Sequence, residues 1–310
     1  MTALICGSFA YDNIMVFQDQ FKNHILPDKV HILNVCFLVP NMRREFGGTA
    51  GNIAYNLKLL EGNGKPMGTV GDDFEPYSQW MDKVGVSRDY LTEIPEIYTA
   101  QAFITTDLDD NQITAFHPGA MNHAHEAKIP TEDGISLGLI SPDGRDGMIQ
   151  HAEQFANADI PFIFDPGQGL PMFDGDELNK FIEQASYVTV NDYESQLMQE
   201  RTKLTEGEIA ERVKALIVTK GGEGSTVYAD GKKINIPAVK VRELNDPTGC
   251  GDAYRAGLIF GLMKDMDWDT TCRIASLMGG IKIQHHGTQN HNFSFAEFSE
   301  QFAEEFGYKL

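Results

Sequence analysis

The residues best suited to chemistry lie between Asn245 and Gly257 and read Asn-Asp-Pro-Thr-Gly-Cys-Gly-Asp-Ala-Tyr-Arg-Ala-Gly. Pro247 fixes one backbone angle, and Gly249 and Gly251 allow conformations that are closed to other residues. The apolar residues that begin at Ala253 recur at helical spacing. The stretch therefore predicts a tight turn that leads into a helix.

The start of this predicted helix has the properties of an anion site. The N–H groups of Gly249, Cys250 and Gly251 would point outward at the positive end of the helix dipole, which suits a phosphate or a developing negative charge. Asp252 lies in the first turn beside them. A carboxylate there would repel an anion unless it accepts a proton, although an Asp at a helix start also satisfies the helix dipole.

The thirteen residues resemble the C-terminal signature of the ribokinase (PfkB) family of sugar and nucleoside kinases, Asp-Thr-x-Gly-Ala-Gly-Asp-x-Phe-x-x-Gly. Pro247 stands in place of the Thr, Cys250 of the Ala and Tyr254 of the Phe. None of these differences removes a backbone donor at the anion site. The resemblance implies that Asp252 is the catalytic base and that the Gly249 to Gly251 amides form an anion hole.

Composition limits the class of protein and of partner. The 310 residues, 42% of them hydrophobic, are enough for one large α/β domain with an insertion or for two domains. The 45 acidic and 25 basic residues give a formal net charge of −20. Because this charge opposes binding to DNA, RNA or anionic lipid, we expect neither a nucleic acid nor a membrane as partner.

Cysteine usage indicates a reducing compartment. Cys6, Cys36, Cys250 and Cys272 are widely scattered and form no Cys-x-x-Cys pair, so neither a disulfide framework nor a thiolate zinc site is predicted. The first ten residues lack a charged segment and a long apolar core, and no apolar run is long enough to span a bilayer. We expect a cytoplasmic protein.

The first strand, Ala3–Cys6, is followed by Ser8 and Asp12, where an open α/β sheet presents ligand-binding groups. A turn-capping Asp is an equal alternative on the residues alone. In the resembling family an acidic residue at this point grips paired hydroxyls of the sugar, which implies substrate-binding roles for Ser8 and Asp12.

A second motif, Phe46-Gly-Gly-Thr-Ala-Gly-Asn-Ile-Ala54, opens a predicted helix. Gly47 and Gly48 would let a ligand approach the backbone, and Asn52 offers both a donor and an acceptor. The motif matches the family's N-terminal signature Gly-Gly-x-x-x-Asn-x-Ala, although Gly-Gly is common in turns generally.

The predicted strands Asn13–Phe17 and Leu33–Val39 interrupt the path from the first strand to this helix. The strands Tyr98–Thr106 and Gln112–His117 complete the excursion, and residues 112–117 alternate in polarity as a strand with one apolar face does. In the family such an insertion forms a lid over the substrate. Exposed edge strands of a lid could pair with a second copy, so a homodimer through the lid is an expectation as well.

From Lys65 onward, short apolar strands alternate with amphipathic helices, which predicts a mostly parallel, doubly wound sheet. The expected fold is α/β and ribokinase-like, with helices flanking the sheet and a small β-sheet lid. The resemblance treats residues 1–310 as a single domain whose lid is formed by insertions at about 13–46 and 97–118.

Two motifs at strand ends imply a nucleotide site. Asn191-Asp-Tyr-Glu194 resembles the family's Asn-x-x-Glu motif, which implies that Asn191 and Glu194 help to place phosphate and that Glu194 holds Mg²⁺ through water. On the residues alone, a helix cap by Asn191 with Glu194 as its capping-box partner is the favoured interpretation.

The second motif, Thr219-Lys-Gly-Gly-Glu-Gly224, resembles the family's Thr-x-Gly-x-x-Gly nucleotide loop, although a glycine-rich hairpin loop is its ordinary interpretation. Its glycines would let the backbone reach ATP, and Lys220 could add a point charge. The nucleotide-binding residues implied here are Thr219, Lys220, Gly221, Gly222 and Gly224.

The C-terminal part completes the implied sites. The resemblance implies an adenine wall on a predicted helix Thr270–His285, formed by Met278, Gly279, Ile281, Lys282 and His285. It also implies that a potassium-like ion is held by backbone oxygens near Asp246, Thr248, His285 and Gly287. His123, His125, His285 and His286 lack a carboxylate or Cys at ligand spacing, and surface loops are the favoured interpretation for them.

Within the family, the segment from Phe21 to Gly48 resembles bacterial adenosine kinases more closely than ribokinase or fructokinase. Phe37, Phe103 and Phe116 could stack on a purine, or they could simply pack the lid. Cys36 stands where such enzymes can carry a Ser, and the resemblance makes it a substrate-binding position.

The resemblance thus implies transfer of the γ-phosphate of ATP, with Mg²⁺, to the 5′-hydroxyl of adenosine. The alternatives are a sugar kinase of the same family and a noncatalytic nucleoside or nucleotide sensor on the same fold.

Overall fold

The computed structural model describes residues 1–25, 31–32, 34–109, 111–130 and 134–310. The strands, in chain order, are β1 (Thr2–Cys6), β2 (Ala10–Val16), β3 (Met42–Gly47), β4 (Gly64–Val70), β5 (Tyr90–Glu93), β6 (Ala100–Thr106), β7 (Gln112–His117), β8 (Ile135–Ile140), β9 (Phe162–Phe164), β10 (Tyr187–Asn191), β11 (Ala215–Thr219), β12 (Ser225–Ala229) and β13 (Lys232–Ile236).

The α-helices are α1 (Thr49–Leu59), α2 (Glu75–Val84), α3 (Arg145–Asn157), α4 (Gly175–Gln184), α5 (Asp192–Thr202), α6 (Glu206–Ala210), α7 (Cys250–Met263), α8 (Trp268–Lys282) and α9 (Phe295–Phe306). No helix in the described ranges combines the length and the apolar character that a membrane span requires.

The larger sheet has nine strands in the order β13-β12-β11-β10-β9-β8-β1-β4-β5. Neighbouring strands from β5 to β11 are parallel, and β12 and β13 join antiparallel at one edge. The predicted mostly parallel, doubly wound sheet is confirmed. Because β1 pairs with β4 on one side and β8 on the other, the strand order reverses at β1, and this is where such sheets bind ligands.

Both faces of the larger sheet are covered, as its apolar strands require. In β1, Ala3 and Ile5 pack into one core with α1, α2, α7, α8 and α9. The alternate residues Leu4 and Cys6 pack into the core formed with α3, α4, α5 and α6. The period-2 alternation of one strand therefore separates the two helical layers.

The smaller sheet has the order β3-β2-β6-β7, and its strands come from the two segments predicted to form the lid. The predicted strand Leu33–Val39 is wrong: residues 34–39 have no regular structure, and residue 33 lies outside the described residues. The partner of β2 is instead Met42–Gly47, directly before α1. Phe37 packs its ring on Phe17 and Phe21, at 4.8 and 5.0 Å between ring centroids. Phe37 therefore packs against other aromatic side chains without being part of a strand.

Candidate active site

The N-terminus of α7 begins at a left-handed glycine. Gly249 has φ +79°, and a Cβ there would lie 3.0 Å from Cγ2 of Thr288, so the turn favours glycine twice over. No side chain caps this end of α7. The predicted turn and helix are therefore present.

The predicted anion site used the amides of Gly249, Cys250 and Gly251, and the structure replaces one of these three. The Cys250 N–H donates to the Pro247 carbonyl at 3.2 Å and is therefore used by the turn. The amides of Gly249, Gly251 and Asp252 donate to no acceptor in the described part of the chain. Three backbone donors thus remain at the positive end of the α7 dipole, where an anion is favoured.

The Asp252 carboxylate contacts α1. Its Oδ2 accepts a hydrogen bond from Nδ2 of Asn52 at 2.8 Å. Burial raises the pKa of Asp252 to about 7, with a further increase from the charges of Asp165 and Asp12, whereas the Asn52 bond and Arg255 lower it. A carboxylate with a pKa near neutrality can accept a proton and release it again at physiological pH.

A buried polar network holds Asn52 in place. Nε2 of Gln289 donates to Oδ1 of Asn52 at 3.0 Å, and the indole N–H of Trp80 donates to Oε1 of Gln289 at 2.8 Å. Nε2 of Gln289 also donates to the Tyr77 hydroxyl at 2.6 Å, and that hydroxyl donates to the Gly47 carbonyl at 2.9 Å. Gln289, Tyr77 and Trp80 stand in no recognisable motif, so the sequence analysis could not assign them to the site. Their bonds leave the Asn52 amide one orientation, with its N–H₂ toward Asp252.

Replacing Asn52 with Ala is expected to move the acidic limb of the kcat/KM profile to higher pH. The Asn52 bond lowers the pKa of Asp252, so its loss raises that pKa above about 7, and more alkaline conditions are then needed to ionise the base. Initial rates between pH 5 and 9 measure the shift. An unchanged limb would mean that another group limits the rate, and N63A, which removes an exposed bond to Thr2, serves as the control.

A buried ion pair lies one turn along α7. The Arg255 guanidinium donates from Nε and Nη2 to both oxygens of Asp165, at 2.9 and 2.8 Å, and the two side chains are 6% and 4% exposed. Asp165 follows β9 at the same edge of the larger sheet as Ser8. Sequence reasoning gave neither residue a role, although Arg255 at position i+3 from Asp252 shares its helix face.

Asp12 lies on β2 beside the Gly47-Gly48 motif. A Cβ at Gly47 would come within 2.7 Å of Oδ2 of Asp12, and one at Gly48, which has φ +86°, within 2.5 Å of the Ser8 carbonyl. The two glycines therefore let the carboxylate lie against the backbone. The Asp12 side chain forms no hydrogen bond with any residue that the structure describes, and burial, then the charges of Glu45 and Asp246, raise its pKa to about 6.

The register of the smaller sheet separates the predicted aromatic residues. Asp12 pairs with Ala102, and Ala102 pairs with Phe116, so these residues share one face. Phe103 pairs instead with Asn13 and lies on the opposite face. The predicted wall of Phe116, Phe103 and Phe37 cannot form on one face of this sheet.

The remaining predicted substrate residues are structural or exposed. The Ser8 hydroxyl accepts a bond from the Thr49 amide at 3.2 Å and thereby joins the end of β1 to the start of α1. Cys36 is exposed in the irregular segment before β3. Neither side chain contacts Asp12, Asn52 or Asp252 in the described contacts.

Asn191 and Glu194 form the capping box that the residues alone favoured. Oδ1 of Asn191 accepts from the Glu194 amide at 2.7 Å, and both Glu194 oxygens accept from Asn191 at 2.8 Å. Burial, then the charge of Asp165, raise the pKa of Glu194. Each carboxylate oxygen keeps a lone pair that a water of hydrated Mg²⁺ could reach, so the residue fits an outer-sphere role.

The loop from Thr219 to Gly224 joins β11 to β12 and lies next to Asn191, which pairs with Thr219 in register. The loop closes on itself, with the Lys220 amide bonded to the Gly224 carbonyl and the Lys220 ammonium bonded to Thr226. Gly221 and Gly222 border open space, whereas a Cβ at Gly224 would meet the Ile236 carbonyl. The segment is a hairpin loop in which Gly221 and Gly222 leave the backbone accessible.

Met278 is fully buried in the core beneath the larger sheet, so it cannot line an adenine pocket as predicted. The predicted helix Thr270–His285 ends earlier, at Lys282, because the Ile283 carbonyl accepts from the amides of Asn245 and Asp246. His285 is exposed beyond the end of α8.

The region predicted to hold a potassium-like ion already contains a positive charge. The Lys282 ammonium donates to the carbonyls of Asp246 and His285, and the Asp246 carboxylate accepts from the amides of Thr248 and Gly287. Among the described residues, no group of His, Cys, Asp and Glu side chains could hold a metal ion by itself. The donor set does not fit a bound monovalent cation while Lys282 is in place.

Comparison with known proteins finds relatives that are named as carbohydrate or nucleoside kinases. A family profile of pfkB family carbohydrate kinases matches residues 21–294 of this chain. A nucleoside kinase from Burkholderia thailandensis, solved in complex with inosine, is 52% identical with a TM-score of 0.89, and the match covers 99% of each chain. That kinase has also been solved with ADP-inosine.

Two further relatives are more distant. A nucleoside kinase from Methanocaldococcus jannaschii is 33% identical over 261 residues, which cover 83% of this chain and 85% of the relative. An adenosine kinase from Sinorhizobium meliloti has a TM-score of 0.78 at 20% identity, with 97% and 98% of the two chains covered. At that identity the second likeness shows a shared fold alone.

Proposed function

The chain belongs to the pfkB family of carbohydrate kinases and is a phosphotransferase with an alcohol acceptor, and on this premise we propose that it phosphorylates the 5′-hydroxyl of a purine nucleoside, adenosine, from ATP. Relatives named as nucleoside kinases support the acceptor class. The finer choice of adenosine rests on the N-terminal segment that resembles adenosine kinases.

The observation that carries the proposal is the face of the smaller sheet that holds Asp12. An ionised, unpartnered carboxylate is suited to accept hydrogen bonds from the two neighbouring ribose hydroxyls. Phe116 and Ala102 share that face, and Phe116 is 52% exposed. A flat, accessible ring beside a hydroxyl-binding carboxylate suits a purine attached to ribose.

Asp252 would then act as the general base. Its carboxylate orients the 5′-hydroxyl and accepts the proton as the bond to phosphorus forms and the bond to the leaving ADP oxygen breaks. The free amides of Gly249, Gly251 and Asp252 would stabilise the charge on the transferred phosphoryl group. Mg²⁺, where bound, would neutralise the phosphates, and Glu194 would hold it through water.

The smaller sheet would serve as the lid that excludes water from this transfer. Its strand β3 is tied to the loop after α8, because the Thr288 hydroxyl donates to the Phe46 carbonyl at 2.7 Å and Asn290 donates to Glu45 at 2.9 Å. The exposed edge strand β7 could pair with a second copy, which makes a homodimer through the lid part of the proposal.

The test is ADP release with Mg·ATP and adenosine, inosine, ribose or fructose as acceptor. Turnover with adenosine at the highest kcat/KM supports the proposal. Preference for inosine keeps the nucleoside class and rejects adenosine, and turnover with sugars alone makes the chain a sugar kinase. Binding of nucleosides without turnover of any acceptor would identify a noncatalytic sensor.

Replacing Asp12 with Asn is expected to raise KM for the nucleoside by about 10- to 100-fold, since hydrogen bonds to a charged group contribute about 1.5–3 kcal/mol. The KM for ATP should change little, because Asp12 lies on the acceptor side. Steady-state kinetics with each substrate varied in turn separate the two constants. E305Q, on the exposed face of α9, is the matched control; an equal rise in both KM values would reject the assignment.

A further inference from the structure

Lys282 is a fully buried cation beside the candidate active site. Its side chain is 0% exposed, and its Nζ lies 2.8 Å from the Asp246 carbonyl and 3.1 Å from the His285 carbonyl. The Asp246 carboxylate is 3.9 Å away. A buried ammonium is costly unless acceptors and a negative charge lie close to it, and here two of its three donors have carbonyl acceptors while the Asp246 carboxylate supplies the negative charge.

Helix capping alone does not explain this arrangement. A lysine at the end of a helix can bond the last carbonyls, as Lys282 does with His285. The bond to Asp246, however, crosses 36 positions of sequence and reaches the turn that enters α7. The ammonium therefore joins the end of α8 to the start of α7.

The same two segments are clamped together around the ammonium. The amides of Asn245 and Asp246 donate to the Ile283 carbonyl at 2.9 and 3.1 Å. The Asp246 carboxylate accepts from the amides of Thr248 and Gly287, both at 2.9 Å. Because the sequence continues from Thr248 into Gly249, this clamp sets the position of the free amides at the start of α7.

Backbone carbonyl oxygens that converge on one point are also the ligands that bind potassium. The carbonyls of Asp246 and His285 belong to the set that the family resemblance implied for a potassium-like ion. Lys282 donates hydrogen bonds to two of those oxygens. Unlike a bound ion, its ammonium is covalently attached to the chain and cannot leave the site. A cation bound at these two oxygens would lie within a few ångströms of the ammonium, and the two positive charges would repel each other.

We propose that Lys282 is a built-in monovalent cation: its ammonium replaces a bound potassium-like ion, positions the start of α7 and makes the activity independent of added potassium. Lys282 is a positioning residue, since it touches carbonyls of the turn and not the reacting atoms. The inference about activity rests on the proposed kinase function, whereas the inference about the cation can be tested on the protein without substrate.

The first experiment measures the kinase activity of the unaltered protein in tetramethylammonium buffer, with KCl or tetramethylammonium chloride added at equal ionic strength. We expect equal rates in both salts. Activation by KCl, several-fold and saturating, would overturn the proposal by itself.

The second experiment removes the ammonium. In K282A, which leaves a space, kcat is expected to fall by about 10- to 100-fold in tetramethylammonium chloride, as for loss of hydrogen bonds from a charged group. KCl and NH₄Cl should restore much of the rate, and LiCl should not, because the smaller ion cannot reach the fixed carbonyls. K282M fills the space and should stay impaired in every salt. Full activity of K282A without potassium would overturn the proposal.

Thermal unfolding without substrates provides an independent readout. KCl should raise the Tm of K282A relative to tetramethylammonium chloride and leave the Tm of the unaltered protein and of K282M unchanged. If no acceptor is phosphorylated, the proposed function fails, but this Tm comparison still decides whether Lys282 replaces a cation. If K282A does not fold, the potassium response of the unaltered protein decides the question.

Discussion

Replacing Asp252 with Asn is expected to reduce kcat by about 10²- to 10⁴-fold, the range that a positioned general base contributes. The amide has the same shape and can still bond to Asn52, so binding of the nucleoside should be almost unchanged. The reduction should appear in kcat and in kcat/KM alike, because the lost interaction forms only as the proton leaves the hydroxyl. Steady-state kinetics and calorimetric titration with nucleoside measure the two quantities.

The same substitution should stabilise the protein at neutral and alkaline pH. The pKa of Asp252 is raised from 3.8 to about 7, so ionisation of this group opposes folding. This free-energy cost is absent below pH 3.8, the pKa of this Asp in the unfolded chain. It grows as the pH rises from 3.8 to about 7 and is complete above about pH 7. D252N avoids the cost, so its Tm should exceed that of the unaltered protein at pH 8 and match it near pH 4.

Two results would contradict the assignment of Asp252 as base. A kcat within a few-fold of the unaltered protein would show that the proton goes elsewhere. A Tm difference that is the same at pH 4 and pH 8 would show that the carboxylate is not strained by burial. D265N serves as the control, because Asp265 lies in a left-handed turn that Asn tolerates and is exposed.

Replacing Arg255 with Met is expected to lower the free energy of unfolding by about 3–5 kcal/mol, the usual cost of leaving one partner of a buried ion pair alone. The Asp165 carboxylate would lose both of its bonds to the guanidinium while it stays 4% exposed. Equilibrium unfolding in urea gives the difference. The double variant D165L/R255M should recover most of it, since neither charge is then buried without a partner.

The exposed pair of Arg273 and Asp269 provides the matched comparison. These side chains are 25% and 44% exposed and also form a two-point contact. R273M should cost less than about 1 kcal/mol, because solvent screens an exposed ion pair. Equal losses in R255M and R273M would mean that the buried pair does not hold β9 and α7 together.

Arg255 also acts on the base. Its positive charge lowers the pKa of Asp252, so R255M should move the acidic limb of kcat/KM to higher pH, in the same direction as N52A. The two variants differ in stability, since Asn52 carries no charge. A common shift with different unfolding free energies would separate the electrostatic effect from the structural one.

The sequence by itself determined the fold class and the places where chemistry gathers. The alternation of apolar strands with amphipathic helices is local information, and the sheet with its helical layers follows from it. The turn at Gly249 follows from Pro247, Gly249 and Gly251, which are also local. The glycine-containing motifs, taken together, carried the resemblance to the kinase family. Asp12, Asn52 and Asp252 carried signals because each stands in or beside such a motif.

The tertiary structure alone decided which side chains face one another. Phe103 and Phe116 look alike in sequence, but the pairing of β2 with β6 and β7 puts them on opposite faces, and a register cannot be derived from either strand alone. Gln289 reaches Asn52 across 237 positions. Contacts at such separations depend on the packing of whole elements, which no local pattern records.

The same reason applies to Met278 and Lys282, which lie four residues apart on α8. Helical spacing puts both on one side of the helix. Met278 packs into the apolar core, whereas the Lys282 ammonium bonds to carbonyls beside the start of α7. Local sequence fixes the helix and its apolar side. Which groups the Lys282 side chain contacts at the end of α8 depends on how α7 and the turn before it are packed.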